Sequence, residues 1–505
     1  MAVVTPHEVR PGRGVELALL VPALALGIGG YALAGLGATS HLPPNIVFHA
    51  LGLIALAALM HVVLRLRAPY ADQVMLPVAV ALNGIGLAMI YRLDLARAAR
   101  GVTTTFATKQ LGWTTIGVLF AALVLIVLRD HRTLRRLTYT AMVVGLGLFV
   151  LPLIPGLGAD VNGATIWIRI GTFSVQPAEF SKIALAVFFA GYLVTNRDTL
   201  ALAGPRVLGL QLPRIRDLGP ILVAWLTSVA VLVLERDLGT SLLFFGLFVA
   251  MLYLATERTS WVVMGLVMFV VGAFLAAKSF GHVAARFDIW LHAMNNDVFN
   301  KAYGGSGQLV RGLFGMASGG LFGTGWGLGR PDLVPFAESD FIVASLGEEL
   351  GLTGLIAILL AYLVLAERGM RTAVGVRDGF GKLLAGGLAF VVALQCFVVV
   401  GGVTRVIPLT GLTMPFMAYG GSSLLANWVI VALLLRISDN ARRPAPSMTV
   451  PVTTAPTPAA SPDADPEGPE SGPSGPGRAP LPQGDDNETA VLTAADRPDV
   501  TGGRA

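Results

Sequence analysis

Val334-Pro-Phe-Ala-Glu-Ser-Asp-Phe-Ile-Val-Ala-Ser-Leu-Gly-Glu-Glu-Leu-Gly351 is the stretch that decides how the chain is read. It sets Glu338, Asp340, Glu348 and Glu349 at and just inside the start of an apolar run reaching about Ala366. An Asp at the centre of a membrane helix costs roughly 2.5–3.5 kcal/mol on insertion scales, so acids at such an entrance need a reason to be there. Directly before them runs Gly319-Gly-Leu-Phe-Gly-Thr-Gly-Trp-Gly-Leu-Gly329. The two stretches together read as a reactive or binding loop feeding into a membrane helix.

The rest of the chain fits that setting. Hydrophobic residues make up 54% and charged residues 13% of 505, against about 25% charged in a soluble domain. Apolar segments of about the 20 residues needed to cross a bilayer recur along its length. Twelve are read, near 16–37, 46–64, 73–91, 110–128, 138–155, 178–195, 218–234, 239–256, 260–277, 341–366, 380–402 and 422–437. The first is too long and too poorly flanked for a cleavable signal, so it counts as a helix. The fold class expected is therefore an all-α polytopic membrane protein with a long loop, about 278–340, before the helix that follows Asp340.

Basic residues orient the bundle. With the N-terminus cytoplasmic, Arg129, Arg132, Arg135 and Arg136, then Arg197, Arg206, Arg214 and Arg216, then Arg368, Arg371, Arg377 and Lys382 all fall on the cytoplasmic side. That is the positive-inside bias, and it places Asp340 at the outer face. One loop dissents: Arg92, Arg97, Arg100 and Lys109 fall outside. The cytoplasmic arginines suit anionic membrane lipids and call for no nucleic acid.

From Ala441 onward thirteen of the thirty prolines fall in the last 65 residues, among Ser, Gly, Thr and acids. Such a segment cannot bury enough apolar surface to offset chain entropy, and a disordered cytoplasmic tail is expected over 441–505. Cys396 is the single cysteine and lies in an apolar segment, which excludes a disulfide and a thiolate metal site. A small packing residue is the expectation there.

Three further polar constellations lie at helix ends. Asn162 to Lys182 carries Trp167, and it places Glu179 and Lys182 three residues apart, where they share a helix face and can pair half buried. Glu235-Arg-Asp-Leu-Gly-Thr-Ser241 reads as a tight turn in which Asp237 caps the next helix. Gly402 to Ser423 is rich in Gly, Pro and hydroxyls at membrane depth, where irregular backbone must be buried or line a watery cavity. Arg405 and Ser422 are its candidate substrate-facing groups.

These segments in combination resemble the SEDS family (shape, elongation, division and sporulation; the FtsW/RodA/SpoVE proteins). The matching stretches are Asn162–Lys182, Asp237-Leu-Gly-Thr240, the glycines to Gly329, Ser339-Asp-Phe-Ile342 with Glu348-Glu-Leu-Gly351, and Ile407-Pro-Leu-Thr-Gly411 with Tyr419-Gly-Gly-Ser-Ser423. Ile407-Pro-Leu-Thr-Gly411 and an Ala- and Arg-rich composition look most like the RodA branch in GC-rich actinobacteria. The resemblance implies a ten-helix core over about 69–440, to which residues 1–68 add an N-terminal two-helix extension. It also implies glycosyl transfer, in which lipid II is polymerised outside the plasma membrane beside a class B penicillin-binding protein. Asp340 matches the family's essential aspartate, and Trp167, Glu179 and Lys182 match positions needed near its cavity. Phe336, Glu338 and Ser339 stand where the family often has Glu, His and Thr, and Ile166 where Arg is common.

The chemistry that the resemblance implies suits the residue types. A carboxylate can take the proton as an acceptor 4-hydroxyl attacks, general-base catalysis worth about 10²–10⁴-fold. Asp340 is the expected base, Glu338, Ser339 and Asp237 cavity groups, and Lys182, Arg405 or a divalent cation such as Mg or Mn the expected stabiliser of departing pyrophosphate. A lipid II flippase is the alternative. No inverted repeat of the transporter kind is visible, and the acid sits at the edge rather than at the midplane.

Overall fold

Lipid offers no partner to a backbone N–H or C=O, so an apolar stretch that crosses it must become a helix. Each of the twelve stretches does. The computed structural model describes residues 12–161, 164–171, 173–200, 206–207, 210–211, 219–301 and 305–444. The membrane helices are α1 (Gly14–Thr39), α2 (Ile46–Arg67), α3 (Met75–Ala98), α4 (Phe106–Val127), α5 (Thr138–Val150), α6 (Ala178–Leu200), α7 (Gly219–Leu234), α8 (Leu238–Thr256) and α9 (Thr259–Ser279). After the three short helices α10 (Gly281–Leu291), α11 (Asn296–Phe299) and α12 (Gly307–Gly319) come α13 (Ile342–Gly375), α14 (Gly379–Val403) and α15 (Gly421–Arg442). Among the described residues, eleven spans are long and apolar enough to cross a membrane, and α7 is a shorter apolar helix. Residues 1–11 and the tail from 445 on lie outside the described residues.

Helices α3, α14 and α15 are the most buried and form the centre. Helix α9 lies at the rim, where Val262, Val263, Leu266, Val267, Val270 and Phe274 stay exposed as lipid-facing side chains do. The Asn162–Lys182 region departs from the all-helical expectation. It holds a small antiparallel sheet, β1 (Gly158–Val161), β2 (Ala164–Ile170) and β3 (Phe173–Val175), in the order β1-β2-β3. Thr165, Ile166, Trp167, Ile168 and Ile170 are β-branched or aromatic, which suits a pleated strand better than a helix.

Helix α13 is not one span. At Gly351 the backbone turns to φ 69°, ψ −172°, and this separates a short helix, 342–350, from a long one, 352–375. The glycine-rich run is the splint for this break. Thr324 and Gly325 donate their N–H groups to the carbonyls of Glu348 and Glu349 at 2.9 and 3.0 Å. Leu352 and Thr353 donate theirs to the carbonyls of Gly320 and Leu321, both at 3.0 Å. A Cβ at Gly323 would run into the Glu349 backbone, and one at Gly351 into the Gly323 backbone. Glycine is required on both sides because two main chains meet there.

The acidic pair serves the same joint. Arg92 Nε donates to Glu349 Oε1 at 2.7 Å, and Gly327 N–H donates to Glu349 Oε2 at 2.9 Å. Arg330 N–H donates to Glu348 Oε1 at 2.7 Å. The arginines that dissent from the charge bias are thereby explained. Arg92 pairs with Glu349, Arg97 with Glu338 at 2.6 Å, and Arg100 with Asp332. They are held by protein carboxylates, which removes them from the competition that sets orientation.

The Arg92–Glu349 pair is buried on both sides, and removing one partner of such a pair costs about 3–5 kcal/mol. Arg92→Met should therefore lower the melting temperature in detergent sharply, while Arg100→Met, whose arginine is half exposed, should barely move it. Equal melting temperatures for the two variants would contradict the structural role given to Glu349.

Candidate active site

Four segments that join the membrane helices meet at the end of the bundle that carries Asp340. They are the α7–α8 turn, α10, the segment leading to Asp340, and the loop 404–420. Of the six non-glycine residues with positive φ among the described residues, four lie in these segments: Arg236, Phe336, Arg405 and Phe416. Strained backbone of this kind persists where surrounding structure over-determines it, as at functional sites.

The loop 404–420 is held by polar side chains that the membrane helices lend it. Gln395 of α14 donates to the Thr413 carbonyl at 2.9 Å, Asn83 of α3 to Phe416 at 3.1 Å, and Gln110 of α4 to Ala418 at 3.0 Å. The Tyr362 hydroxyl of α13 donates to the Pro415 carbonyl. A Cβ on Gly86 would lie 2.5 Å from Met417 Cα, so α3 and the loop touch main chain to main chain. Tyr419 N–H closes the arrangement by donating to the Glu338 carbonyl at 2.7 Å. Four polar side chains inside membrane helices thus satisfy four loop carbonyls. That is the condition under which irregular backbone survives at this depth.

Asp340 stands where these segments converge. A Cβ on Gly411 would lie 3.9 Å from both Asp340 Oδ2 and Arg286 Nη2, which puts the two groups at the same corner of the loop, and the φ of +83° is what favours glycine there. Burial pushes the Asp340 carboxyl up to about 7. Arg286 opposes that rise, while Asp237 and Glu338 add to it. Arg286 is fixed by donating Nη1 to the Leu409 carbonyl at 2.9 Å. Asp237 caps α8, accepting from Thr240 N–H at 3.0 Å and Thr240 Oγ1 at 2.5 Å, and faces the charge of Arg286. Burial and the neighbouring Asp237 raise Glu235 to about 8, so it carries a proton at neutral pH.

The structure places Asp340 within electrostatic reach of Arg286, Asp237 and Glu338, holds Glu338 itself on Arg97, and gives the other candidates different places. Lys182 and Glu179 are 2.5 Å apart and 1% and 5% exposed, fully rather than half buried. Lys182 also donates to Gln395 Oε1 at 2.9 Å, so its buried ammonium is engaged in a joint between α6, α14 and the loop. Arg405 donates Nε and Nη2 to the carbonyls of Trp290 and Leu291 and caps α10. Ser422 Oγ accepts from Gln176 N–H at 3.0 Å and ties α15 to the start of α6. Ser339 Oγ makes a 3.4 Å contact with the Phe336 carbonyl in its own turn. Trp167 is partly exposed on β2, opposite Ala159. Asn162 lies outside the described residues. Arg286, Gln395, Asn83, Gln110 and Tyr362 are the groups that sequence reasoning missed. A polar residue inside an apolar run was the available signal for the last four.

A polytopic membrane protein with this joint belongs to a recognisable class: the chain is a member of the FtsW/RodA/SpoVE family of cell cycle proteins, whose model matches residues 73–443. It is 47% identical over 462 residues to proteins named peptidoglycan glycosyltransferase RodA from Mycobacterium tuberculosis and Mycobacterium bovis, covering 90% of this chain and 97% of theirs. Stage V sporulation protein E of Bacillus subtilis is 34% identical over 379 residues, 74% of this chain and 98% of that one. Among solved structures, the fold matches a chain from a study of polymerization and crosslinking by a peptidoglycan synthase complex, with TM-score 0.58, 22% identity and 74% and 99% of the two chains covered. It also matches the rod shape determining protein RodA of Thermus thermophilus, with TM-score 0.51, 21% identity and 74% and 98% covered.

The Glu179–Lys182–Gln395 joint gives a direct expectation. Glu179→Ala or Lys182→Ala strands a buried charge and should cost about 3–5 kcal/mol of stability together with most activity. Exchanging the two charges should recover folding better than activity, because the reversed pair no longer matches Gln395. Thermal melts and turnover both at wild-type level in the single variants would mean that the pair is merely solvated.

Proposed function

We propose that this chain is an inverting glycosyltransferase that polymerises lipid II into glycan strands. The observation that carries the reading is Asp340, a carboxylate set beside the Arg286 guanidinium where the irregular segments meet. As the acceptor 4-hydroxyl attacks the donor anomeric carbon, Asp340 takes its proton. The new bond joins the acceptor oxygen to that carbon, the bond to the polyprenyl pyrophosphate breaks, and the α-linked donor becomes a β-1,4 unit. Charge develops on the departing pyrophosphate, and a positioned guanidinium is worth most at such a point. We assign Arg286 that role ahead of Lys182, which is buried against Glu179 and Gln395, and of Arg405, whose Nε and Nη2 hold the α10 carbonyls, because Arg286 is the guanidinium whose charge acts on Asp340.

Among the described residues no three His, Cys, Asp or Glu side chains gather into a metal-holding set, so a divalent cation such as Mg or Mn would be held by one or two carboxylates such as Asp340 together with the pyrophosphate of the substrate. The opposite end of the bundle carries exposed Arg129, Arg132, Arg135 and Arg136, so we place that end in the cytoplasm and Asp340 outside the plasma membrane. The polyprenyl chain then stays in lipid while the sugars reach Asp340. A class B penicillin-binding protein is the partner that would crosslink the product, and cell-wall elongation with maintenance of cell shape is the process served. A flippase would want its charged groups at the midplane; grouping at one end favours the polymerase.

Asp340→Asn keeps the volume and removes the base. It should lower strand formation from lipid II by at least about 10²-fold, read on gels with the purified protein and its partner. Because the fold disfavours ionisation at this position, the variant should melt no lower than the parent at pH 8. Near-normal glycan from the variant would end the assignment.

A further inference from the structure

The hairpin α1–α2 lies before the stretch that the family model covers, which begins at residue 73, and by sequence it reads as an addition whose loss should affect yield or complex formation more than turnover. The structure assigns it a different role: α1 is a positioning element for the site, because its small-residue face seats Trp326 and Gly327 and so fixes the splint of the α13 break that follows Asp340. The contacts run in an unbroken series. A Cβ on Gly27 would lie 2.8 Å from Gly84 Cα, so α1 meets α3 backbone to backbone. A Cβ on Gly30 would lie 3.3 Å from Cζ2 of the Trp326 ring, and one on Gly37 would run into the Trp326 carbonyl oxygen. From the other side, a Cβ on Gly327 would lie 2.7 Å from Ala38 N and 2.8 Å from Ala34 O, at a φ of +83°. Gly327 N–H in turn donates to Glu349 Oε2 at 2.9 Å, which reaches α13 itself.

The hairpin is clamped at both ends, so it can transmit position. Near the site, Tyr31 stacks on Tyr91 of α3 with ring centroids 4.0 Å apart and on His49 of α2 at 4.6 Å. At the far end, Arg13 Nη1 donates to the carbonyls of Ala68, Pro69 and Ala71 at 3.1, 3.3 and 3.2 Å. Glu16 pairs with Arg13 and lies 2.6 Å from His61 Nδ1. The glycine-rich run has few side chains of its own to hold it, and Leu321, Phe322 and Leu328 are exposed. Trp326 is the large side chain by which this run is packed against the bundle.

Gly37→Leu forces a side chain into the Trp326 carbonyl, Trp326→Ala removes the anchor without adding bulk, and Trp326→Phe keeps most of it. Gly29→Leu is the control on the same helix, because a Cβ there meets no atom within 4 Å. In the full-length protein, hydrogen exchange at the Gly325 and Gly327 amides should speed up in Gly37→Leu and Trp326→Ala. The kcat for lipid II should fall between about tenfold and a hundredfold, the scale of a displacement of about 1 Å. KM and melting temperature should move little, Trp326→Phe should recover most of the loss, and Gly29→Leu should match the parent. Unchanged exchange and kcat in Trp326→Ala would overturn the proposal, as would an equal loss in Gly29→Leu. The activity arm rests on the glycosyltransferase reading. Should the parent make no glycan at all, that reading fails, and the exchange rates alone still decide whether α1 holds the splint.

Discussion

Arg92 and Arg97 of α3 and Arg100 just beyond its end each meet a carboxylate of the segment around Asp340. The rest of the site depends on this ladder. The three rungs are not equal. A pair whose arginine is half exposed, such as Arg100–Asp332, contributes about 0–1 kcal/mol, whereas stranding one partner of the buried Arg92–Glu349 pair costs several times that. The buried rung therefore fixes the break in α13, and the partly exposed Arg97–Glu338 rung, two residues from Asp340, trims the electrostatics of the acid. Helix α3 has a second duty in holding the loop 404–420 through Asn83 and Gly86. One central helix thus registers both walls of the site.

The arrangement solves a problem set by lipid. Sugar transfer needs open, polar, irregular backbone, and hydrocarbon forbids unpaired backbone groups. The chain meets both demands by sending Gln395, Asn83, Gln110 and Tyr362 out of otherwise apolar helices to the carbonyls of one loop. In parallel, the glycine-rich run pairs its own main chain with the two helix turns exposed at Gly351. What stands at the junction is the Asp340 carboxylate beside the Arg286 guanidinium, which one bond to the Leu409 carbonyl holds in place.

Much of this was legible in the sequence, and what was not has physical causes. The twelve apolar helices follow from the hydrophobic runs, with α7 alone too short among the described residues to count as a span by length, and Asp340 stood out because an acid at a membrane helix entrance is expensive. The capping role of Asp237 followed from the Gly and Thr after it. The Gly319–Gly329 run read as a reactive loop because glycines mark freedom of the backbone. Here they mark close approach of two main chains, and sequence does not distinguish the two. Lys182 and Arg405 looked available for a leaving group because their partners, Gln395 and the α10 carbonyls, are 213 and about 115 residues away. Arg286 was overlooked for the converse reason: it sits in a short helix of a long loop, and only the fold brings it to Asp340. The sheet at 158–175 was hidden inside a motif read for its charges instead of its β-branched residues.

The claim at the centre is that Asp340 works as a base whose ionisation is set by its surroundings, and the dependence of initial polymerisation rate on pH tests it most directly. A carboxyl held at about 7 is about one-tenth ionised at pH 6 and about nine-tenths at pH 8, and only the ionised form accepts a proton. The rate should therefore climb through neutral pH to a plateau near pH 8. The midpoint should move to lower pH in Glu338→Gln, which removes a negative neighbour that raises it. A rate that is flat or falling between pH 6 and 8, with a midpoint indifferent to residue 338, would contradict the account.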